Sequence, residues 1–176
     1  MASIRNASCG FKMQLLYLHG MHSSPESLKA QLAMRYFHAR GYQVACPQLH
    51  WHPLQVAVQI QQWRTANPGP VALMGSSMGG FFATYFAELW QAKAVLINPA
   101  VAPERLLRSL APRQTHPFLA CDYEIDETFV RVLQALTLNV VRQPQNLWLL
   151  QQSADEVLHW VDAVQYYRDR KSTRLN

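Results

Sequence analysis

Pro70-Val71-Ala72-Leu73-Met74-Gly75-Ser76-Ser77-Met78-Gly79-Gly80-Phe81-Phe82-Ala83 runs from an apolar stretch of strand type, through G-x-S-x-G, into an apolar helical pattern. That is the strand, sharp turn and helix context of a nucleophile elbow. Gly75 and Gly79 lack the Cβ atoms that would collide where the chain reverses, which leaves Ser77 free to take a strained conformation with its hydroxyl exposed. A helix opening at about Met78 aims free N–H groups and its positive end at the space above Ser77, where negative charge would develop. Ser77 is therefore the candidate nucleophile. The plain alternative is a glycine-rich turn with an incidental serine, because G-x-S-x-G is short enough to recur by chance.

Upstream, Gln14 to Leu18 is a compact apolar run ending at His19-Gly20-Met21, which fits a central parallel strand buried on both faces. Ser23-Ser24-Pro25-Glu26-Ser27 then supplies a cap, a proline and an acidic first turn, predicting a helix over 24–40 closed by Gly41. Tyr42 to Cys46 reads as a second strand. His50-Trp51-His52-Pro53 reads as a loop before a helix from Leu54 to Arg64, and Pro68-Gly69-Pro70 as a break.

Downstream of the elbow, its helix should reach Gln91, with a strand over Ala94 to Asn98 stopped by Pro99. Between Val101 and Gln143 the pattern loosens around Pro103, Pro112 and Pro117. Residues 101–143 suit either a small cap over the site or an ordinary long crossover. Leu147 to Gln151 is a further strand, followed by Ser153-Ala154-Asp155-Glu156 and a helix over Val157 to Tyr167. Strands alternating with helices predict an α/β fold, a three-layer sandwich on a mostly parallel sheet, with the site at the strands' C-terminal ends.

The 176 residues suit one domain, here placed at 13–167, and no run of eighteen apolar residues is present to span a membrane. The net charge of +5 sits at the two ends, because residues 13–167 carry ten Lys/Arg and ten Asp/Glu. That distribution gives little support to a nucleic-acid partner. Cys9, Cys46 and Cys121 lack C-x-x-C spacing and read as reduced thiols of a cytoplasmic protein, without a disulfide framework or a zinc site. No signal sequence precedes residue 13. Residues 1–12 read as a disordered leader or an over-extended start.

The loops at His19-Gly20-Met21, Ser77 and Asp155 all fall at the C-terminal ends of expected strands. A carboxylate at Asp155 would accept the Nδ1–H of a histidine and stabilise the imidazolium formed when Ser77 gives up its proton. Its plain alternative is a helix N-cap, with Glu156 as the neighbouring candidate. The backbone N–H groups of Met21 and Met78 would form an oxyanion hole. Gly20 allows close approach of a ligand, His19 orients the loop, and His22 lies beside it. His50 and His52 flank Trp51 without a third ligand, so no metal and no cofactor are implied.

The segments LLYLHGMHSSPESLKA, CPQL, GSSMGGFFAT, INPAVAPE, LWLLQQSADEVL and AVQYY resemble the small bacterial esterases of the YqiA/YcfP type in the α/β-hydrolase superfamily, from Leu15 to Tyr167. The resemblance implies a cytosolic carboxylic-ester hydrolase with Ser77 as nucleophile, Asp155 as acid and the Met21 loop in the oxyanion hole. Its substrates would be small acyl esters or acyl-CoA-like thioesters. In this superfamily the histidine follows the acid in chain order, after one more strand. Here Arg168 to Asn176 shows no strand pattern and no histidine, so 168–176 reads as a non-native or disordered tail of a chain cut short, and the 176-residue form as nearly inactive. His116 and His159 are the remaining candidates for the base, and neither is placed by its pattern to face Ser77. A non-catalytic binding or scaffold protein on the same fold is the alternative. Acyl-chain preference and oligomeric state are not fixed by these residues.

Overall fold

The computed structural model describes residues 13–108, 110–152, 158 and 160–168, and the backbone alone of 171–175. The run Gln14–Leu18 is a strand, β1, in which every residue is buried. Continuous apolarity without alternation is what a strand covered on both faces requires. Leu15 and Tyr17 turn toward one layer, where they meet Ala30, Met74 and Phe37. Leu16 and Leu18 turn toward the other, which holds Leu73, Leu96, Leu149, Phe82 and Phe86.

The chain continues through α1 (Leu28–His38), β2 (Gln43–Ala45), α2 (Pro53–Ala66), β3 (Val71–Ser76), α3 (Met78–Trp90), β4 (Lys93–Ile97) and α4 (Pro103–Leu107). After α4 come β5 (Arg113–His116), β6 (Cys121–Glu124), α5 (Glu127–Leu136), β7 (Leu147–Gln152), α6 (Trp160–Tyr166) and β8 (Lys171–Leu175). Six strands form one sheet in the order β2-β1-β3-β4-β7-β8. Every pair in it is parallel, with Leu16 opposite Leu73 and Leu96 opposite Leu149. This is the expected α/β sandwich. The order reverses between β1 and β3, and an open parallel sheet places its ligand site at such a switch point.

Three expectations change. Helix α1 begins at Leu28, because Ser24 Oγ accepts the Glu26 amide in a local turn and Ser27 Oγ then caps the Ala30 amide. Ser24 thus competes with the helix for the backbone donors that the cap prediction assigned to it. Within 101–143, β5 and β6 pair as an antiparallel hairpin that the loosened pattern around the prolines did not anticipate. In the tail, the backbone of Lys171–Leu175 pairs in parallel with Trp148–Gln152 and is a sixth strand of the main sheet. Backbone hydrogen bonding along an open edge requires no apolar pattern, so the composition there carried no signal.

Candidate active site

Ser77 joins β3 to α3 with φ 54° and ψ −121°. A non-glycine residue there is strained by about 1–3 kcal/mol and persists only where its surroundings hold it. The restraint is visible in the carbonyl of Ser77, which accepts the amides of Gly80 (2.8 Å), Ala100 (3.1 Å) and Phe81 (3.3 Å), while its own amide donates to Ile97 O at 3.0 Å. Glycines make the close packing possible. A Cβ on Gly79 would collide with the carbonyl of Leu18, one on Gly75 with that of Gly79, and one on Gly80 would sit 2.7 Å from Pro99 Cβ.

The loop after β1 lies directly on this turn. A Cβ placed on Gly20 would come 3.3 Å from Ser77 Cβ and 3.8 Å from its Oγ, so Gly20 lets the His19–His22 loop approach the hydroxyl. The amides of Met21 and Met78 donate to no acceptor among the described residues. Met78 opens α3, where a helix leaves its first N–H groups unpaired. Both residues line a cleft that passes Gly20, which lies against Ser77, and runs between α2 and α5, past Leu49, Val56, Phe82 and Leu133.

His19 is buried and satisfied on both nitrogens. Its Nε2 accepts the Leu49 amide at 3.0 Å, and Nδ1–H donates to Gly20 O at 2.9 Å. Burial holds its pKa below 6.5. It ties the loop after β1 to the segment after β2. His22 has φ 55°, and its Nε2 shares a 2.8 Å hydrogen bond with Tyr123 Oη from β6. Trp51 stacks on Tyr123 at 4.7 Å, and the ring of Phe129 of α5 lies nearly parallel to both, at 6.5 and 6.2 Å. The hairpin is therefore fastened over the cleft by a hydrogen bond from His22 and by ring contacts of Tyr123 and His116.

His116, at the end of β5, is 3 % exposed and lines the cleft. Its Nδ1 accepts the amides of Phe118 (3.2 Å) and Leu119 (3.1 Å), so a neutral ring carries its proton on Nε2. A base needs a free lone pair facing the nucleophile, and in this arrangement His116 offers none. His50 and His52 cap local turns, each accepting a backbone amide on Nδ1. No three described His, Cys, Asp or Glu side chains group in a way that would hold a metal. Burial also pushes the Cys46 thiol up to about 12, with Glu26 adding to the effect, so it is a poor nucleophile.

Asp155, Glu156 and His159 lie outside the described residues. The strand leading to them is fixed at its end by Asn98, which sits at φ 42°. Asn98 Nδ2 donates to Gln152 Oε1 at 2.7 Å, Oδ1 accepts the Gln152 amide at 2.8 Å, and its own amide donates to Leu150 O at 2.9 Å. The sequence reading did not single out Asn98. Its signal was an asparagine between a strand and Pro99, since asparagine tolerates the left-handed region that such a corner needs.

Among solved structures, the fold is similar to alpha/beta hydrolase domain-containing protein 10 from mouse, with a TM-score of 0.71 at 14% identity over 93% of this chain and 78% of that one. Est1E from Butyrivibrio proteoclasticus gives 0.68 at 12% identity, covering 94% and 77% of the two chains. The monoacylglycerol lipase of Paleococcus ferrophilus gives 0.61 at 13%, covering 92% and 82%. At these identities the likeness is one of fold, and the fold is that of the α/β hydrolases. The match at the level of sequence is more specific: residues 14–174 fit the uncharacterised protein family UPF0227, and the chain belongs to that family.

Proposed function

We propose that this chain hydrolyses carboxylic esters or thioesters through an acyl-serine intermediate. Ser77 Oγ attacks the acyl carbon. The amides of Met21 and Met78 receive the oxyanion, and Asp155 holds the histidine that takes the serine proton and returns it to the leaving group. The observation that carries this reading is the held strain at Ser77 beside two unpartnered amides. A turn without chemical duty has no reason to keep a serine where glycine is unstrained. The fold neighbours include proteins titled as an esterase and a lipase, which supports the same class.

The base is the open member. His116 is unsuited by its tautomer, and His19 is occupied on both nitrogens. The superfamily order places the base after Asp155, where His159 is the sole histidine of these 176 residues. Labelling with a fluorophosphonate tests the nucleophile: modification of Ser77 that disappears in Ser77→Ala supports the hydrolase. No labelling in a chain extended beyond residue 176 favours a binding protein. If the 176 residues turn over p-nitrophenyl esters at ordinary enzymatic rates, His159→Ala should abolish that activity. Without a base, roughly 10³- to 10⁴-fold over water remains from the oxyanion hole and binding.

A further inference from the structure

The side chains around the cleft beside Ser77 are unbalanced in hydrogen-bonding type. Apart from apolar groups, they comprise the imidazoles of His19, His22, His50 and His116 and the indole of Trp51. Among the described residues no carboxylate, amide or hydroxyl side chain lines it. His116 is the most buried donor available to a ligand. Its Nδ1 is committed to the Phe118 and Leu119 amides, while Nε2 has no hydrogen-bond partner among the described residues. The nearest ring, His22, meets it edge to face at 5.5 Å, and a ring face is a much poorer acceptor than an oxygen. His50 is wired in the same way, with Nδ1 accepting the His52 amide and Nε2 carrying the proton. That N–H is not sealed from solvent, so a ligand oxygen that accepts from it exchanges water for a protein-bound acceptor and contributes about the worth of one neutral hydrogen bond.

We infer that His116 is a substrate-positioning residue whose Nε2–H donates to an acceptor oxygen within the group that fills the cleft, so the preferred occupant is a slender, otherwise apolar chain bearing an ether, keto or ester oxygen. The inference builds on the hydrolase reading in locating the cleft next to the reacting carbon. Its test does not depend on turnover. Methyl pentyl ketone is titrated into the full chain alongside its two analogues in which an ether oxygen replaces the third or the fourth carbon of the pentyl group, and binding is followed by NMR of the Trp51 indole. In the wild-type protein at least one ether analogue binds more tightly than the hydrocarbon ketone. That preference falls about fivefold in His116→Leu, the worth of one neutral hydrogen bond. His116→Gln, whose amide nitrogen replaces Nε2, retains it. An unchanged preference in His116→Leu, or no binding of any of the three ketones, overturns the inference. Should the leucine variant not fold, long-range nitrogen–proton correlation on the wild-type imidazole decides. A proton on Nε2 with Nδ1 bare supports the assignment, and a proton on Nδ1 overturns it. If Ser77 fails to label in a chain extended beyond residue 176 while the ketone preference holds, the hydrolase reading falls and the site of His116 stands.

Discussion

At Ser77 strain and restraint meet in one peptide. Replacing Ser77 with glycine relieves the positive φ at the cost of extra freedom in the unfolded chain, and the net expectation is a gain of about 1 kcal/mol in urea unfolding. The same variant should lose all reaction with a fluorophosphonate. Stability and reactivity would then move in opposite directions at one atom. Gly79 behaves differently, because its missing Cβ is space that the Leu18 carbonyl occupies. Gly79→Ala should cost about 3 kcal/mol, read from the same unfolding curves, since neither backbone can withdraw without breaking the sheet-to-helix contact. At this scale the sequence was informative: Gly75 and Gly79 declared the turn through what they lack. Asn98 was silent because its duty is a contact with Gln152, a residue 54 positions away.

The β5–β6 hairpin illustrates how an element closes a site through few contacts. Tyr123→Phe removes the hydroxyl bonded to His22 and should destabilise the protein by about 1 kcal/mol. In a double-mutant cycle with His22→Ala, a coupling near that value locates the fastening in this bond, and zero coupling would assign it to the ring contacts. The hairpin escaped the sequence reading for a physical reason. Its strands, RQTH and CDYE, are four residues each, and only His116 and Tyr123 are buried, one per strand. Alternation cannot be recognised over so short a span. The start of α1 was misplaced because Ser24 and Ser27 both bind amides and only the second begins a helix. Strand β1 was fully legible, since burial on both faces demands an uninterrupted apolar run. Strand β8 lies along the edge of the sheet, where its backbone pairs with β7.

At the scale of the molecule, burial depresses the pKa of five of the described histidines, His19, His22, His50, His52 and His116, below 6.5. His50 and His116 are lowered further by neighbouring imidazoles, and His52 is partly compensated by Asp126. Lowered values mean that the unfolded chain binds protons near 6.5 that the folded chain refuses. Stability is thus full above 6.5 and declines as the pH falls through the depressed folded values. The urea midpoint at about pH 5 should lie clearly below that at about pH 7.5, with the difference reduced in His19→Asn. The ion pairs among the described residues, Arg113–Glu124 and Arg131–Glu127, are both largely exposed, and such pairs contribute under about 1 kcal/mol.

The three amides gathered on the Ser77 carbonyl have a consequence for time as well as shape. Deuterium enters a peptide group only when its bond opens, and Gly80, Phe81 and Ala100 share a single acceptor that cannot swing away without releasing all three. Reactive segments in most proteins are among the first to take up the isotope. Here the reverse order is expected: these three positions should still be protonated after the ends of α1 and the edge strand β2 have exchanged, so that the part of the molecule built to react is also the part that breathes least.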